Sequence, residues 1–429
     1  MMNSVSVGIL GFGTVGTGVV HLLTQEQEKL QQQSGSNIHI EKVLVRDIDK
    51  TRKINFADNR LTLDPDDILD NPKIDIVIEV MGGIEDAKNY IFKALMNRKH
   101  VITANKDLMA VHGTQLLETA ADYQCDLYYE ASVAGAIPIL RTLTDGLSAD
   151  RIQKIMGIVN GTTNYILSKM NRESVSYEEV LQEAQVLGFA EADPTSDVEG
   201  LDAARKMVIL SHLAYSVPVT LEDVRVEGIT EISQEDIHYS KKLGYTMKLV
   251  GISELDDPYI DIRVSPTLLS SNHPLAAVEN EFNAVYVYGK SVGETMFYGP
   301  GAGELPTAIA VVSDLISVVK NINLGVNGHH IFLPKNEKKC KSPDSMKNQY
   351  FFRMHVQDQP GAFSKITSLL NERRISLKQI IQEPIPKQQL AEVVIITHAI
   401  EERIFKQTYQ QLKDLDVVYD VKNYYRVEG

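Results

Sequence analysis

The chain has 429 residues, 43% hydrophobic and 23% charged, an ordinary globular balance that excludes a largely disordered protein. Its 43 lysines and arginines against 57 aspartates and glutamates leave a net charge of −14, which argues against nucleic acid and membrane as partners because anionic surfaces would repel most of the molecule. The two cysteines, Cys125 and Cys340, make neither a disulfide framework nor a zinc site, no apolar run approaches the roughly 20 residues that span a bilayer, and no basic leader precedes the first strand, so a cytoplasmic protein is expected.

Ser6 to Leu10 reads as a buried strand that runs into Gly11-Phe12-Gly13-Thr14-Val15-Gly16 and then a helical pattern. This is G-x-G-x-x-G at a first strand-helix turn. The first glycine allows the tight turn, the second lets backbone approach a pyrophosphate, and the third brings helix and strand together. A second strand is expected to end at Val45, followed by Arg46 and Asp47. The arginine suits the 2′-phosphate of NADP and the carboxylate the ribose of NAD. Arg46 is nearer the strand, which leans towards NADP and leaves NAD open.

Further runs follow in alternation: IDIVIEV, the helical AKNYIFKALMNR, HVITAN, the helical QLLETAADYQ and DLYYEASV. They predict βαβ units and a doubly wound parallel sheet over residues 1–132. Two strand ends stand out. Thr103 to Lys106 places a lysine where it could reach a substrate oxygen or the cofactor amide, or else flank a helix at the surface. Glu130 to Pro138 sets one carboxylate beside a turn of small residues whose carbonyls suit a monovalent cation, or simply a tight interdomain turn.

Residues 133–334 mix helices with longer β-rich runs, which predicts an α+β substrate and dimerisation domain around an antiparallel sheet. The apolar helix near 300–325 is expected to pack back on the first domain. Within this region an acidic loop (Glu191, Asp193, Asp197, Glu199) precedes an apolar helix from Leu201. Asp202 and Lys206 share one face of that helix at i, i+4. An exposed pair of this kind contributes only about 0.3–0.5 kcal/mol. A buried lysine with a lowered pKa, partly restored by the carboxylate, would instead suit proton transfer coupled to hydride transfer. His112, His212 and His273 lack metal-ligand spacing and read as structural. Residues 335–349 read as a lysine-rich linker, and 350–429 as a self-contained βαββαβ unit of ferredoxin-like pattern.

The residues Ala184, Gly188, Phe189, Ala190, Asp193, Pro194, Asp197, Val198, Gly200, Asp202 and Lys206 fit the pattern A-x3-G-[FY]-[AS]-x-x-[DNS]-P-x2-D-[LIVM]-x-G-x-D-x3-K. On this match, with TANK, EASVAGAIP and GPGAGELPTA, the chain resembles homoserine dehydrogenases over residues 5 to 325, in the monofunctional form without a preceding kinase, and its tail resembles an ACT domain. The resemblance implies reversible NAD(P)H-dependent reduction of L-aspartate 4-semialdehyde to L-homoserine, in threonine, methionine and isoleucine biosynthesis. It implies Lys206 as proton donor with Lys106 assisting, and Glu191 and Asp202 on the substrate ammonium. It further implies a sodium ion held by Glu130, Val133, Gly135 and Ile137, and a cofactor lined by Phe12, Thr14, Val15, Thr103, Lys106, Gly188 and Gly303. A homodimer or homotetramer is expected, with threonine as a candidate effector at the Asp358-Gln359-Pro360-Gly361 turn or a purely structural tail. The rival readings are a thioester-forming semialdehyde dehydrogenase, which needs a reactive cysteine, and a non-catalytic nucleotide sensor built around the tail.

Overall fold

The structure, a computed structural model, describes residues 4–429 apart from 53, 55, 57, 330 and 331. Strands β1 (Ser4–Leu10), β2 (Asn37–Leu44), β3 (Leu61–Thr62), β4 (Ile76–Glu79), β5 (His100–Thr103) and β6 (Leu127–Tyr128) form one sheet in the order β3-β2-β1-β4-β5-β6. Every pairing in it is parallel. Helices cover both faces, so the central strands are apolar throughout rather than alternating: Val7, Ile9, Ile76, Val77 and Ile78 are all fully buried. The expected doubly wound α/β architecture is present.

Helix Glu304–Leu324 returns to this sheet and packs on helix Thr14–Gln25, with Val311, Leu315 and Val318 in one core with Val19 and Val20. The approach is close enough that a side chain at Gly18 would lie 2.6 Å from the Glu304 carbonyl oxygen. At 21 residues and a mean hydropathy of 1.5, this helix is long and apolar enough to cross a bilayer, which corrects the expectation that no segment is. Its apolar side is spent on the core, and it carries a fully buried aspartate, Asp314.

The remaining strands are β7 (Ile152–Ile158), β8 (Arg225–Val226), β9 (Tyr245–Asp256), β10 (Tyr259–Ser270), β11 (Phe282–Gly289), β12 (Gly293–Pro300), β13 (Lys347–Gln357), β14 (Leu377–Pro384), β15 (Leu390–Thr397), β16 (Ile400–Glu401) and β17 (Val418–Glu428). Nine of them form one path, β12-β11-β7-β9-β10-β17-β13-β15-β14, with β8 beside β10 and β16 beside β13. The tail has the expected βαββαβ pattern, but it is not self-contained. Its last strand runs on to Glu428, and Thr267, Leu268 and Leu269 of β10 pair in parallel with Arg426, Val427 and Glu428 of β17. The sheet of the tail and that of the middle of the chain are therefore continuous.

Buried charges reinforce the junction. Arg353 on β13 bonds Asp236 at 2.6 Å and Glu392 at 2.8 Å, and the Tyr425 hydroxyl donates to Asp236 at 2.8 Å. Arg263 reaches Glu428 at 2.7 Å, and Arg426 reaches Glu227 at 2.9 Å. The lysine-rich segment before the tail is also pinned rather than free: Ile260 donates to the Lys339 carbonyl and accepts from the Lys341 amide. Its lysines find carboxylates, Lys338 on Asp223 and Lys341 on Asp256.

Candidate active site

Strands β1, β4 and β5 are neighbours, so their carboxyl ends open onto one edge, at the point where strand order reverses and open α/β sheets bind ligands. Gly11 turns out of β1 with a φ of +108°, and a side chain there would meet the Met81 backbone at 2.9 Å. A Cβ at Gly16 would lie 2.3 Å from the Gly11 carbonyl oxygen. At Gly13, by contrast, nothing lies within 4 Å. Open space above the first amides of helix Thr14–Gln25, which Thr14 and Val15 begin, fits a pyrophosphate.

Phe12 meets Phe56 edge-on at 5.9 Å, and the Arg52 guanidinium lies 5.3 Å from its ring centroid. Strand β2 ends at Leu44, one residue earlier than expected, and Arg46 and Asp47 are exposed beyond it. The Asp47 carboxylate accepts the Asp49 amide of its own loop at 2.9 Å.

Glu79, fully buried at the end of β4, accepts the Thr103 hydroxyl at 2.6 Å and the Met81 amide at 2.9 Å. Burial pushes its carboxyl up, against the opposing pull of those donors. The Thr103 hydroxyl also accepts the Asn105 amide at 3.0 Å, so this side chain ties the ends of β4 and β5 together. Asn105 caps helix Lys106–Asp122 through the Leu108 amide, which fixes Lys106 in the first turn. Sequence reasoning missed Glu79. The available signal was an acid ending an otherwise apolar strand.

Helix Leu201–Tyr215 is buried along most of its length, as its composition demands. Asp202 sits between two ammonium groups: its Oδ2 accepts Lys206 Nζ at 2.7 Å and its Oδ1 faces Lys106 Nζ at 3.4 Å. Lys206 Nζ also donates to the Val159 carbonyl at 2.6 Å. The Lys206 side chain is 12% exposed and that of Lys106 is 34% exposed, so Lys206 is the more enclosed donor. Burial opposes ionisation of Asp202, but Lys206 and Lys106 outweigh it and hold the carboxyl down at about 2. It therefore favours the folded state at pH above its ordinary value of 3.8 and ceases to do so as pH falls through about 2. For Lys106, burial lowers the ammonium's pKa, but Asp202 and Asp107 reverse the effect and raise it. A second tie between the two helices is Arg205 on Asp107 at 2.9 Å.

Two residues that sequence reasoning did not place, Asn160 and Thr162, complete the cluster. Asn160 Nδ2 donates to Asp197 at 2.7 Å and to Asp202 at 2.9 Å. Thr162 donates to the Phe189 carbonyl at 2.6 Å and to Asp197 at 3.1 Å. Burial raises the Asp197 carboxyl despite the Asn160 bond. Glu191 stands apart: it is exposed on the loop, and its carboxylate has no partner among the described residues. Gly188 ends helix Tyr177–Leu187 in the left-handed region at φ +79°, and the Phe189 ring packs tilted against Tyr165 with centroids 4.8 Å apart.

At the Glu130 turn the carboxylate meets the start of a short helix. Both oxygens of the buried carboxylate accept amides, those of Leu140 at 2.7 Å and Arg141 at 2.8 Å, because the short helix Ile139–Arg141 begins there with its amides needing acceptors. The Ile137 carbonyl is taken by the Ile139 amide at 2.8 Å. The Glu130 amide donates to Asp314 at 2.9 Å and Arg141 reaches Asp314 at 2.8 Å. Burial and then the Glu130 charge push Asp314 up to about 7. Gly135 packs on Gly301, two residues before Gly303, which precedes helix Glu304–Leu324.

No cluster of three or more histidine, cysteine, aspartate or glutamate side chains able to hold a metal ion occurs among the described residues. Burial pushes both thiols up to about 11, Cys125 in the core and Cys340 beside Asp223, which leaves a thioester mechanism without a nucleophile.

Comparison with known proteins agrees along the whole chain. The family described as homoserine dehydrogenase, NAD binding domain, matches residues 11–130, that described as homoserine dehydrogenase matches 138–316, and ACT domain matches 350–417. A homoserine dehydrogenase of Bacillus subtilis is 58% identical over 429 residues, covering 100% of this chain and 99% of the relative. The crystal structure of a homoserine dehydrogenase from Thiobacillus denitrificans superposes with a TM-score of 0.92 at 37% identity, covering 100% of this chain and 99% of that one. A hyperthermophilic archaeal homoserine dehydrogenase solved in complex with NADPH has a TM-score of 0.61 at 26% identity, covering 73% of this chain and 97% of that one.

Proposed function

The chain belongs to the homoserine dehydrogenase family, and from that membership we propose how its residues divide the reversible NAD(P)H-dependent reduction of L-aspartate 4-semialdehyde to L-homoserine. A reduced nicotinamide, when bound, supplies the hydride that converts the aldehyde carbon to a primary alcohol carbon. Lys206 gives its proton to the aldehyde oxygen as negative charge develops there, and takes it back in the reverse direction. Lys106 lies across Asp202 from it and stabilises the same oxygen. Asp202 keeps both lysines in register and, with Glu191, offers carboxylate to the substrate ammonium. The observation that carries this reading is one buried carboxylate shared by two lysines from two different domains at 2.7 and 3.4 Å. A nucleotide sensor without catalysis has no use for that arrangement. The assay is oxidation of NADPH by the semialdehyde on the purified chain.

Glu191 is the free carboxylate of the acidic loop, so it can turn to a ligand without breaking an existing bond. Glu191→Gln should raise the Michaelis constant for the amino-acid substrate by roughly tenfold, with turnover little changed, because an exposed charge-assisted bond is removed from ground and transition state alike. Initial-rate kinetics check this. An unchanged Michaelis constant would place the ammonium elsewhere.

The glycine turn, Gly188 and Gly303 are proposed to line the cofactor. The choice of cofactor is assigned to the loop after β2. Asp47 is engaged with its own loop, while Arg46 is exposed and able to fork onto a 2′-phosphate. Arg46→Ala should weaken NADPH more than NADH in fluorescence titration. Equal loss for both would mean that the guanidinium points to solvent.

A sodium ion is proposed at Glu130 with the carbonyls of Val133, Gly135 and Ile137. The ACT unit is proposed to bind an amino acid, threonine being the candidate, near Asp358 to Gly361, and the whole is proposed to work as a cytoplasmic homodimer or homotetramer in threonine, methionine and isoleucine synthesis. Calorimetric titration of the full chain with L-threonine tests the effector.

A further inference from the structure

We propose that Asn160 is the positioning residue of the reaction, clasping the Lys206–Asp202 pair in the geometry that proton transfer requires. The inference rests on the assignment of Lys206 as proton donor and adds the group that fixes it. Asn160 is buried at the turn between β7 and helix Gly161–Glu173. Its carboxamide uses every hydrogen-bonding site it has. Nδ2 donates to Asp197 Oδ1 at 2.7 Å and Asp202 Oδ2 at 2.9 Å, and Oδ1 accepts the Thr163 amide at 2.9 Å and the Thr163 hydroxyl at 3.0 Å. The two donors can point only at the two carboxylates, so the orientation of the amide is fixed by its partners.

The same turn grips the lysine from its other side. Val159, the preceding residue, gives its carbonyl to Lys206 Nζ at 2.6 Å. Two consecutive residues therefore hold the ammonium and its counter-ion. Only Asp202 Oδ2 receives both Lys206 and Asn160, which leaves Oδ1 turned towards Lys106. Asn160 also sits between two buried carboxylates of like charge. Without its N–H groups, Asp197 and Asp202 would repel one another across the turn, and Asp202 would be free to rotate its oxygens away from the lysines. A residue placed in this way raises turnover without touching the substrate.

Its second task, capping helix Gly161–Glu173 through the Thr163 amide, is separable. Asn160→Ser keeps a good cap but deletes both donors to the carboxylates, whereas Asn160→Ala deletes both functions. The expected result is a fall in kcat of about 10–100-fold in both variants, with NADPH affinity unchanged. The acidic limb of the kcat profile should move to higher pH in both, since donors that favoured the charged carboxylates are gone. N160A should melt further below the parent than N160S, which keeps the cap. N160S with native kcat and native pH profile would overturn the inference and leave Asn160 a helix cap. Lys206→Ala measured alongside separates the two ideas. An inactive K206A with an unchanged N160S defeats the positioning role alone, while turnover retained by K206A defeats the donor assignment and this inference with it.

Discussion

Lys206→Ala should lower turnover by about 10²–10⁴-fold while leaving NADPH binding within a small factor of the parent. The alcohol oxygen cannot leave the site as an alkoxide, so reduction stalls unless a proton arrives as the hydride does. Lys206 is the better enclosed of the two ammonium groups, and it is held on two sides, by Asp202 at 2.7 Å and by the Val159 carbonyl at 2.6 Å. Lys106 is more open and reaches the same carboxylate only at 3.4 Å. It should therefore rescue K206A weakly, leaving a residual rate that vanishes in the double variant with Lys106→Ala. Lys206 is assigned to the substrate oxygen and not to the cofactor, so cofactor titration of K206A should hardly change. A folded K206A with near-native turnover would move the proton to Lys106 or to solvent.

The second large effect concerns stability. Arg353→Leu should destabilise the full chain by about 3–5 kcal/mol, the typical consequence of removing one partner from a buried ion pair. Its guanidinium bonds Asp236, Glu392 and the Ser233 hydroxyl, and both carboxylates are buried. With the arginine gone, Asp236 would keep only the Tyr425 hydroxyl and the Ser233 amide as donors, and Glu392 only the His355 ring, inside the junction between the tail and the rest of the sheet. Thermal melts of parent and variant decide it, and a variant that melts with the parent would show the junction to be solvated. The same weld implies that deleting residues 345–429 exposes β10 and strands Asp236, Glu227 and Arg263. Such a truncation reports on lost sheet as much as on lost regulation.

Local steric demands were readable from the sequence, and long-range pairings were not. Gly11 and Gly16 announce themselves because only glycine fits beside Met81 and the Gly11 carbonyl oxygen. Asp202 and Lys206 were visible as an i, i+4 pair because helical spacing alone puts them on one face. Lys106 joins them from another domain, and its placement at a strand end was the only hint. Asn160 carried no periodic signal. It lies 42 residues from Asp202, and one buried amide between a strand and a helix looks like any cap. The continuity of the sheet was hidden for a related reason: Arg353 and Asp236 are 117 residues apart, and the pairing of β17 with β10 depends on three residues past the apparent end of a strand. The partners of the Glu130 carboxylate were hidden as well, since nothing in the sequence foretold that the amides of Leu140 and Arg141 donate to it.

The most direct test of the central claim follows the hydride. Purified full-length chain is given L-aspartate 4-semialdehyde and NADPH deuterated at the reactive nicotinamide carbon, and the product is analysed by mass spectrometry. The predicted result is homoserine formed in step with NADPH oxidation, carrying one deuterium on its hydroxyl-bearing carbon. NADPH oxidation without labelled homoserine, or no reaction with the semialdehyde, would contradict the assignment.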